Sequence, residues 1–472
     1  MTASFHFTIA ETIEKFARKE LSPLELVTAH LDRAQALHPK LNAFVHLDAE
    51  SSISRARQAE VGLYDETHLP LRGIPVTVKS CIDVAGWPCP AGSLLRKDYV
   101  PATNATLDQR LEDAGAILLG NTNTPEYLMA YETDNRVSGK TSNPWNIRYS
   151  AGGSSGGEAA AIASGCSMGG VGSDGGGSIR APAHFSGICG LKPTPGRIPA
   201  TGHFPAPGGA FSWLGVVGPM ARTVADLRIL FEVMAGPCPG DPLSAPVALR
   251  DDPAKTLRDL RIGILESPAL GSTTPETQLE VKRAAGLLAA QGIQVAPCSV
   301  NNLDVALNLW WFFFGPVIAQ LLRQSTRGRE SDLSPMLTEY LDIATAGTPV
   351  TLQSFQSACN ERDAVRFDIL QQLRDVPILL SAVSSGPAFL HGSGTYRTGD
   401  PQNYRDTMRF CQWLNLTGMP GLSLPMGQSG EGLPINIQLI ARPYEEDLLL
   451  RVGHILEQAR GPWQAPSMDS GE

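Results

Sequence analysis

The sequence predicts an α/β fold, a mixed, largely parallel β-sheet core sandwiched between helices, and three observations lead there. Residues 104–115 read as a helix that runs into AILLG (116–120), a short apolar run suited to a buried strand. LRIGIL (260–265), a helix opened by Thr274-Pro275 and closed by Gly292, and IQVAP (293–297) repeat the strand–helix–strand order. In GIPVTVKS, Ile74, Val76 and Val78 alternate as strand residues do, and Lys79 stands at the strand's end. Alternation of this kind suits parallel strands covered by helices on both faces.

Taken in chain order, the first element is a helix, because Ile9, Ile13, Phe16 and Ala17 recur at helical spacing. SPLE (22–25) then combines a capping box with proline at the first helical position, and this second helix is expected to stop near Pro39. Between Gly152 and Gly177, 11 of 26 residues are glycine, where usage of about 7% would give two. Glycine at that density weakens helices and strands, so the stretch is read as serving close backbone approach. Further on, LNLWWFFFGPVIAQLL (307–322) holds five aromatic residues in a row before Gly315-Pro316. It is too short and too interrupted for a membrane span and reads as a core helix or a pocket wall.

Composition narrows the function. A length of 472 residues suffices for one large domain or several smaller ones, and 42% hydrophobic with 18% charged residues is ordinary for a soluble globular chain. The net charge of −9 comes with no Lys/Arg block, which argues against nucleic acid or an anionic membrane as partner. The first twenty residues lack an apolar stretch after a basic one, so no signal peptide is read and a cytoplasmic location is expected. Eight cysteines are scattered without a C-x-x-C pair, which speaks for isolated thiols and against a zinc site; no metal and no cofactor are expected.

Several generic motifs match by accident. GVGSDG (170–175) fits G-x-G-x-x-G, yet no strong strand precedes it and KPTPGR follows where an acidic residue would hold a ribose. SGKTS (138–142) contains G-K-T, but Asp134 stands where a P-loop has glycine, so a polar turn is expected. GSSGG satisfies G-x-S-x-G at both Ser154 and Ser155, without a clear histidine downstream to complete a hydrolase triad.

Read together, the stretches from Gly73 to Arg222 resemble the amidase signature family. The matching pieces are GIPVTVKSCIDVAG (73–86), GNTNTPEY (120–127), ETDNRVSGKTSNPWN (132–146), AGGSSGGEAAAIASG (151–165), GSDGGGSIRAPAHFSGICGLKPTPGRIP (172–199) and GPMART (218–223). The end of the chain, from MPGLSLPMG (419–427) to Val452, is similar as well. The resemblance implies the amidase signature fold over 1–472 as one domain, with a core over 60–225. A helical insertion over 300–375 would shape the substrate pocket. It also implies a serine–cis-serine–lysine triad. Lys79 is then the base, Ser154 the bridging serine whose peptide bond is cis, and Ser178, 24 residues further on, the nucleophile. Ser155 becomes a supporting neighbour. Ser80 and Cys81 depart from common family versions, which have an acidic residue and an asparagine after the lysine.

The chemistry holds by itself. A serine hydroxyl needs a base in hydrogen-bond contact, and lysine serves when burial keeps its amine neutral. Gly175, Gly176 and Gly177 can turn backbone N–H groups toward one point, an oxyanion hole beside Ser178. Asp174 and Arg180 are expected to pair and brace that loop, and His184 to be structural. EAAAIASG (158–165) should be a buried helix whose small residues let it approach the sheet. Met129 and Tyr131, with Trp310 and Trp311, are the candidate substrate-binding residues.

The expected function is hydrolysis of a small, apolar or aryl amide through an acyl-enzyme on Ser178. An esterase or carbamate hydrolase on the same triad is one alternative, and the glutamine-hydrolysing A subunit of an amidotransferase the other. The expected partner is a small-molecule amide, with a homodimer allowed and neither nucleic acid nor membrane.

Overall fold

The computed structural model describes residues 4–61, 69–206, 208–209, 211–248, 260–397, 399–400 and 403–468. Eleven strands join in one sheet: β1 (Phe44–Leu47), β2 (Pro75–Lys79), β3 (Ile117–Thr122), β4 (Gly169–Asp174), β5 (Cys189–Lys192), β6 (Val216–Ala221), β7 (Arg261–Glu266), β8 (Gln294–Ser299), β9 (Ile378–Ala382), β10 (Gly421–Gln428) and β11 (Pro434–Ala441). Their order across the sheet is β1-β3-β2-β4-β6-β5-β10-β11-β9-β7-β8. The sheet is mixed, as expected, and its parallel pairs lie where strand–helix–strand alternation was read. These are β3-β2-β4 on one side and β9-β7-β8 on the other. The strands between them pair antiparallel.

Alternate residues of a strand serve two cores. Leu380 of β9 and Leu439 of β11 belong to one apolar cluster with the helices Val224–Met234 and Glu446–Arg460. Their neighbours Leu379 and Ile440 face a second cluster, built by the helical region from Leu303 to Gln372 and the helix Arg409–Thr417. The sandwich thus has a full helical layer on each face.

Most local readings hold. Ile9–Ala17 is a helix, and Ser22 and Glu25 form the capping box of Pro23–Leu41. That helix runs through Pro39 and ends at Asn42, whose φ of 50° is left-handed. Proline there removes one N–H donor in the last turn without forcing the stop itself.

Two expectations change. The glycine-dense stretch, expected to weaken strands, itself holds one: Gly169–Asp174 is the buried strand β4. A Cβ on Gly170 would lie 1.9 Å from Glu158 Oε1 and 2.3 Å from the Thr77 carbonyl, so glycine lets a helix lie directly on this strand. The aromatic segment is likewise not interrupted. Leu303–Phe312, a π-helical turn Phe313–Val317 and Ile318–Ser325 run on as 23 residues, long and apolar enough by length and composition to cross a membrane. Within that stretch Trp310, Phe313 and Phe314 are buried in the second core. Pro316, which has no N–H to donate, falls within the π turn, where the hydrogen-bond ladder is already shifted.

Candidate active site

The site lies at the carboxyl ends of the neighbouring parallel strands β2 and β4, where α/β sheets place their ligands. Every residue of β2 is buried, and its last, Lys79, is fully enclosed. Lys79 Nζ lies 2.6 Å from Ser154 Oγ and 3.0 Å from Ser173 Oγ. Burial pushes the Lys79 ammonium down to about 8, within reach of a neutral amine near physiological pH.

Ser154 sits in the first glycine stretch, and its peptide bond with Gly153 is cis. Its carbonyl accepts the Thr124 hydroxyl at 2.7 Å. Here glycine serves backbone-to-backbone packing: a Cβ on Gly153 would lie 2.7 Å from both the Ala130 carbonyl oxygen and the Glu132 nitrogen. Ser155 points away from the chemistry. Its hydroxyl donates to the Ser173 carbonyl and accepts the Ser173 N–H, both at 3.3 Å. The helix Gly156–Ala163 that follows is buried throughout. Within it Glu158 accepts the hydroxyls of Thr77 and Thr122, tying the helix to β2 and β3. Burial pushes that carboxyl up to about 8.

The strand β4 ends at Asp174, the three glycines follow, and Ser178 leads into the helix Arg180–Ser186. Asp174 and Arg180 pair as expected, with Arg180 Nε 3.0 Å from Asp174 Oδ2 and neither side chain exposed. Burial would raise the Asp174 carboxyl; Arg180 reverses this and holds it well below the usual carboxylate range. His184 is structural: it accepts the Asn436 N–H at Nδ1, so its Nε2 donates to the Gly386 carbonyl.

Ser154 and Ser178 line one small cavity of about 20 Å³, together with Leu128, Met129, Phe211, Val216 and Phe314. The backbone N–H of Gly177 donates to Asp174 Oδ1 at 2.7 Å. This narrows the expected set of oxyanion donors: among the described residues no acceptor is bonded to the N–H of Gly175 or Gly176. Of the four candidate substrate residues, only Met129 lines the cavity. Tyr131 and Trp310 lie behind the glycine loop, and Trp311 lies beneath the Arg405 guanidinium, 4.3 Å from the ring centre.

Sequence reasoning missed Ser173 as the second partner of Lys79, and Phe314 as the aromatic of the 310–314 run that faces the cavity. Ser173 stands one residue before Asp174 in the GSDGGGS stretch, and seeing β4 as a strand beside β2 would have found it. His203 also lines the cavity. Its Nδ1 donates to the Pro205 carbonyl at 3.0 Å, and burial lowers the ring to about 4. The eight cysteines are unpaired, and among the described residues no cluster of three potential metal ligands occurs.

A sequence profile of the Amidase family matches residues 25–450. This chain belongs to the amidase signature family. The matched span takes in Lys79, Ser154 and Ser178. Among sequence relatives of this amidase signature chain, the A subunit of glutamyl-tRNA(Gln) amidotransferase from Roseiflexus castenholzii is 34% identical, over 96% of each chain. Among solved structures, a bacterial aryl acylamidase of the family superposes with a TM-score of 0.85 at 26% identity, covering 97% of this chain and 96% of that one. The 6-aminohexanoate cyclic dimer hydrolase in complex with its substrate gives 0.84 at 28% identity, covering 98% and 99%.

Proposed function

We propose that this chain hydrolyses the amide bond of a small apolar or aryl amide through an acyl-enzyme on Ser178. The observation that carries the reading is the enclosed contact between Lys79 Nζ and Ser154 Oγ, 2.6 Å, at a cavity that Ser178 also lines. In this reading the neutral Lys79 amine takes the Ser154 proton while Ser154 takes that of Ser178, whose oxygen attacks the substrate carbonyl. The amides of the glycine loop bind the negative oxygen of the tetrahedral intermediate. On collapse the proton returns from Lys79 through Ser154 to the leaving nitrogen, the C–N bond breaks, and the amine departs. Water, deprotonated along the same relay, then releases the acid and restores Ser178.

The acyl side is read from the cavity. Leu128, Met129, Phe211, Val216 and Phe314 are apolar, and the one carboxylate in the lining, Asp174, is paired with Arg180. A substrate carrying both an ammonium and a carboxylate finds no unpaired opposite charge there among the described residues. Esters and carbamates fit the same triad, and a cytoplasmic chain acting alone or as a homodimer completes this reading.

A second reading is favoured by a different observation. Sequence relatives 30–34% identical over nearly the whole chain carry the name of the A subunit of glutamyl-tRNA(Gln) amidotransferase. In that case the substrate is glutamine, the product ammonia, and a partner protein consumes it.

One experiment separates the two. The purified chain is labelled with a fluorophosphonate, the label is mapped by mass spectrometry, and hydrolysis is measured on aryl amides, esters, carbamates and glutamine. Label on Ser178 with aryl amide turnover and no glutaminase is the expected result. Glutamine turnover without aryl amide turnover establishes the second reading, and a chain that takes no label at Ser178 overturns both.

A further inference from the structure

The four peptide planes from Asp174 to Ser178 have their carbonyls held one by one. The Asp174 carbonyl accepts Asn415 Nδ2 at 3.0 Å, and the Gly177 carbonyl accepts the Ala181 N–H at 2.7 Å. The two in between are held by side chains from elsewhere. Trp310 Nε1 donates to the Gly175 carbonyl at 2.9 Å, and the Tyr131 hydroxyl donates to the Gly176 carbonyl at 2.6 Å. In a trans peptide the C=O of one residue and the N–H of the next point in opposite directions. Fixing the Gly175 carbonyl on Trp310 therefore turns the Gly176 N–H to the other side of the loop. Fixing the Gly176 carbonyl on Tyr131 does the same for the Gly177 N–H, which meets Asp174.

Both anchors are themselves held. Trp310 is buried and stacks on Phe314, ring centres 4.7 Å apart and planes 15° from parallel. Tyr131 is buried, takes a donated N–H from Gln412 at 3.4 Å, and meets the Tyr404 ring edge-on at 5.4 Å. Contact with the loop is close enough to require glycine. A Cβ on Gly176 would lie 2.4 Å from Trp310 Cζ2 and 2.8 Å from the Tyr131 hydroxyl.

We propose that Trp310 and Tyr131 are positioning residues that set the peptide orientation of the 175–177 loop: Trp310 turns the Gly176 N–H for the oxyanion, and Tyr131 keeps the Gly177 N–H on Asp174, so that the loop is fixed before substrate arrives. The proposal rests on the Ser178 reading above. Neither residue touches the reacting atoms; each acts through a backbone carbonyl, and Trp310 does so from a helix 135 residues away in sequence. Phe314, stacked on Trp310, lines the cavity, so the acyl pocket and the loop share one aromatic support.

The test uses Trp310→Phe and Tyr131→Phe, which remove the donor and keep an aromatic ring, with Trp311→Phe as control. Loss of a direct oxyanion donor costs about 10²–10³ in rate, and loss of an anchor one step behind is expected to cost kcat about 10- to 100-fold. KM for an aryl amide should stay within about threefold. Affinity for a trifluoromethyl ketone, which forms the tetrahedral adduct on Ser178, should fall by the same factor as kcat/KM. A merely structural role would not produce that proportionality. Two results overturn the proposal: wild-type kcat in both variants, or a fall in kcat with unchanged ketone affinity. If one variant fails to fold, the other decides by the same readout. A wild-type chain that turns over no amide and takes no label at Ser178 defeats the proposed function instead, whereas an active wild type with unaffected variants defeats this inference alone.

Discussion

The two glycine-rich stretches look alike in sequence and do different work. In the first, around Ser154, glycines let backbone press on backbone: Gly153 meets the chain at Ala130 and Glu132, and Gly157 would place a Cβ 2.4 Å from the Asn123 nitrogen. The contacts of these two glycines lie within the same third of the chain. In the second, before Ser178, glycine makes room for large side chains, and one of them, Trp310, comes from a distant helix. In the proposed mechanism the first stretch builds a proton relay by enclosure, and the second a charge-binding loop by suspension. Enclosure tunes a pKa, and suspension tunes a geometry.

That contrast can be broken at its joint. Ser178→Ala removes the proposed nucleophile, and is expected to cut kcat by about 10⁴-fold or more and abolish fluorophosphonate labelling. Retention of label after this change would place the nucleophile elsewhere. Lys79→Met strikes the first stretch alone. Its loss as base should cost kcat/KM about 10²–10⁴-fold, while a trifluoromethyl ketone, whose adduct draws on the loop amides, loses less.

Gly176→Ala strikes the second alone, because the added methyl must displace Trp310 or Tyr131. A fall in kcat of about 10²-fold is expected. The pH profile sharpens the division further. If Lys79 is the base, it acts only when neutral, so kcat/KM of the wild type should rise about tenfold per pH unit below about 8 and level off above it. Gly176→Ala should lower the plateau and leave the midpoint in place; a profile flat down to pH 5 would remove lysine from the mechanism. The smallest effect belongs to Trp311→Phe. Its ring packs under Arg405 and contacts neither cavity nor loop, so kcat should stay within about threefold while melting temperature falls by a few degrees.

Part of the candidate site was legible. The Asp174–Arg180 pair is six residues apart, and Lys79, Ser154 and Ser178 were named through the resemblance of several motifs taken in order. Strand β4 was not legible, since its glycines lower every strand signal. Its place beneath the Glu158 helix decides it, and that contact joins parts a motif does not relate. The direction of the aromatic run was equally hidden. Periodicity cannot say that Trp310 turns its N–H to a backbone carbonyl while Phe314 turns to the cavity and Trp311 to an arginine.

By itself, then, the sequence determined the helix caps and the alternation that makes an α/β sandwich, because each depends on neighbours a few residues apart, while the candidate relay was read from a resemblance spread along the chain. Only the tertiary structure decided the enclosure that lowers the Lys79 ammonium, the strand identity of β4 and the anchoring of the loop before Ser178. Desolvation, close helix–strand approach and hydrogen bonds across 135 residues are properties of what packs together, and packing is settled only when the whole sheet and both helical layers are in place.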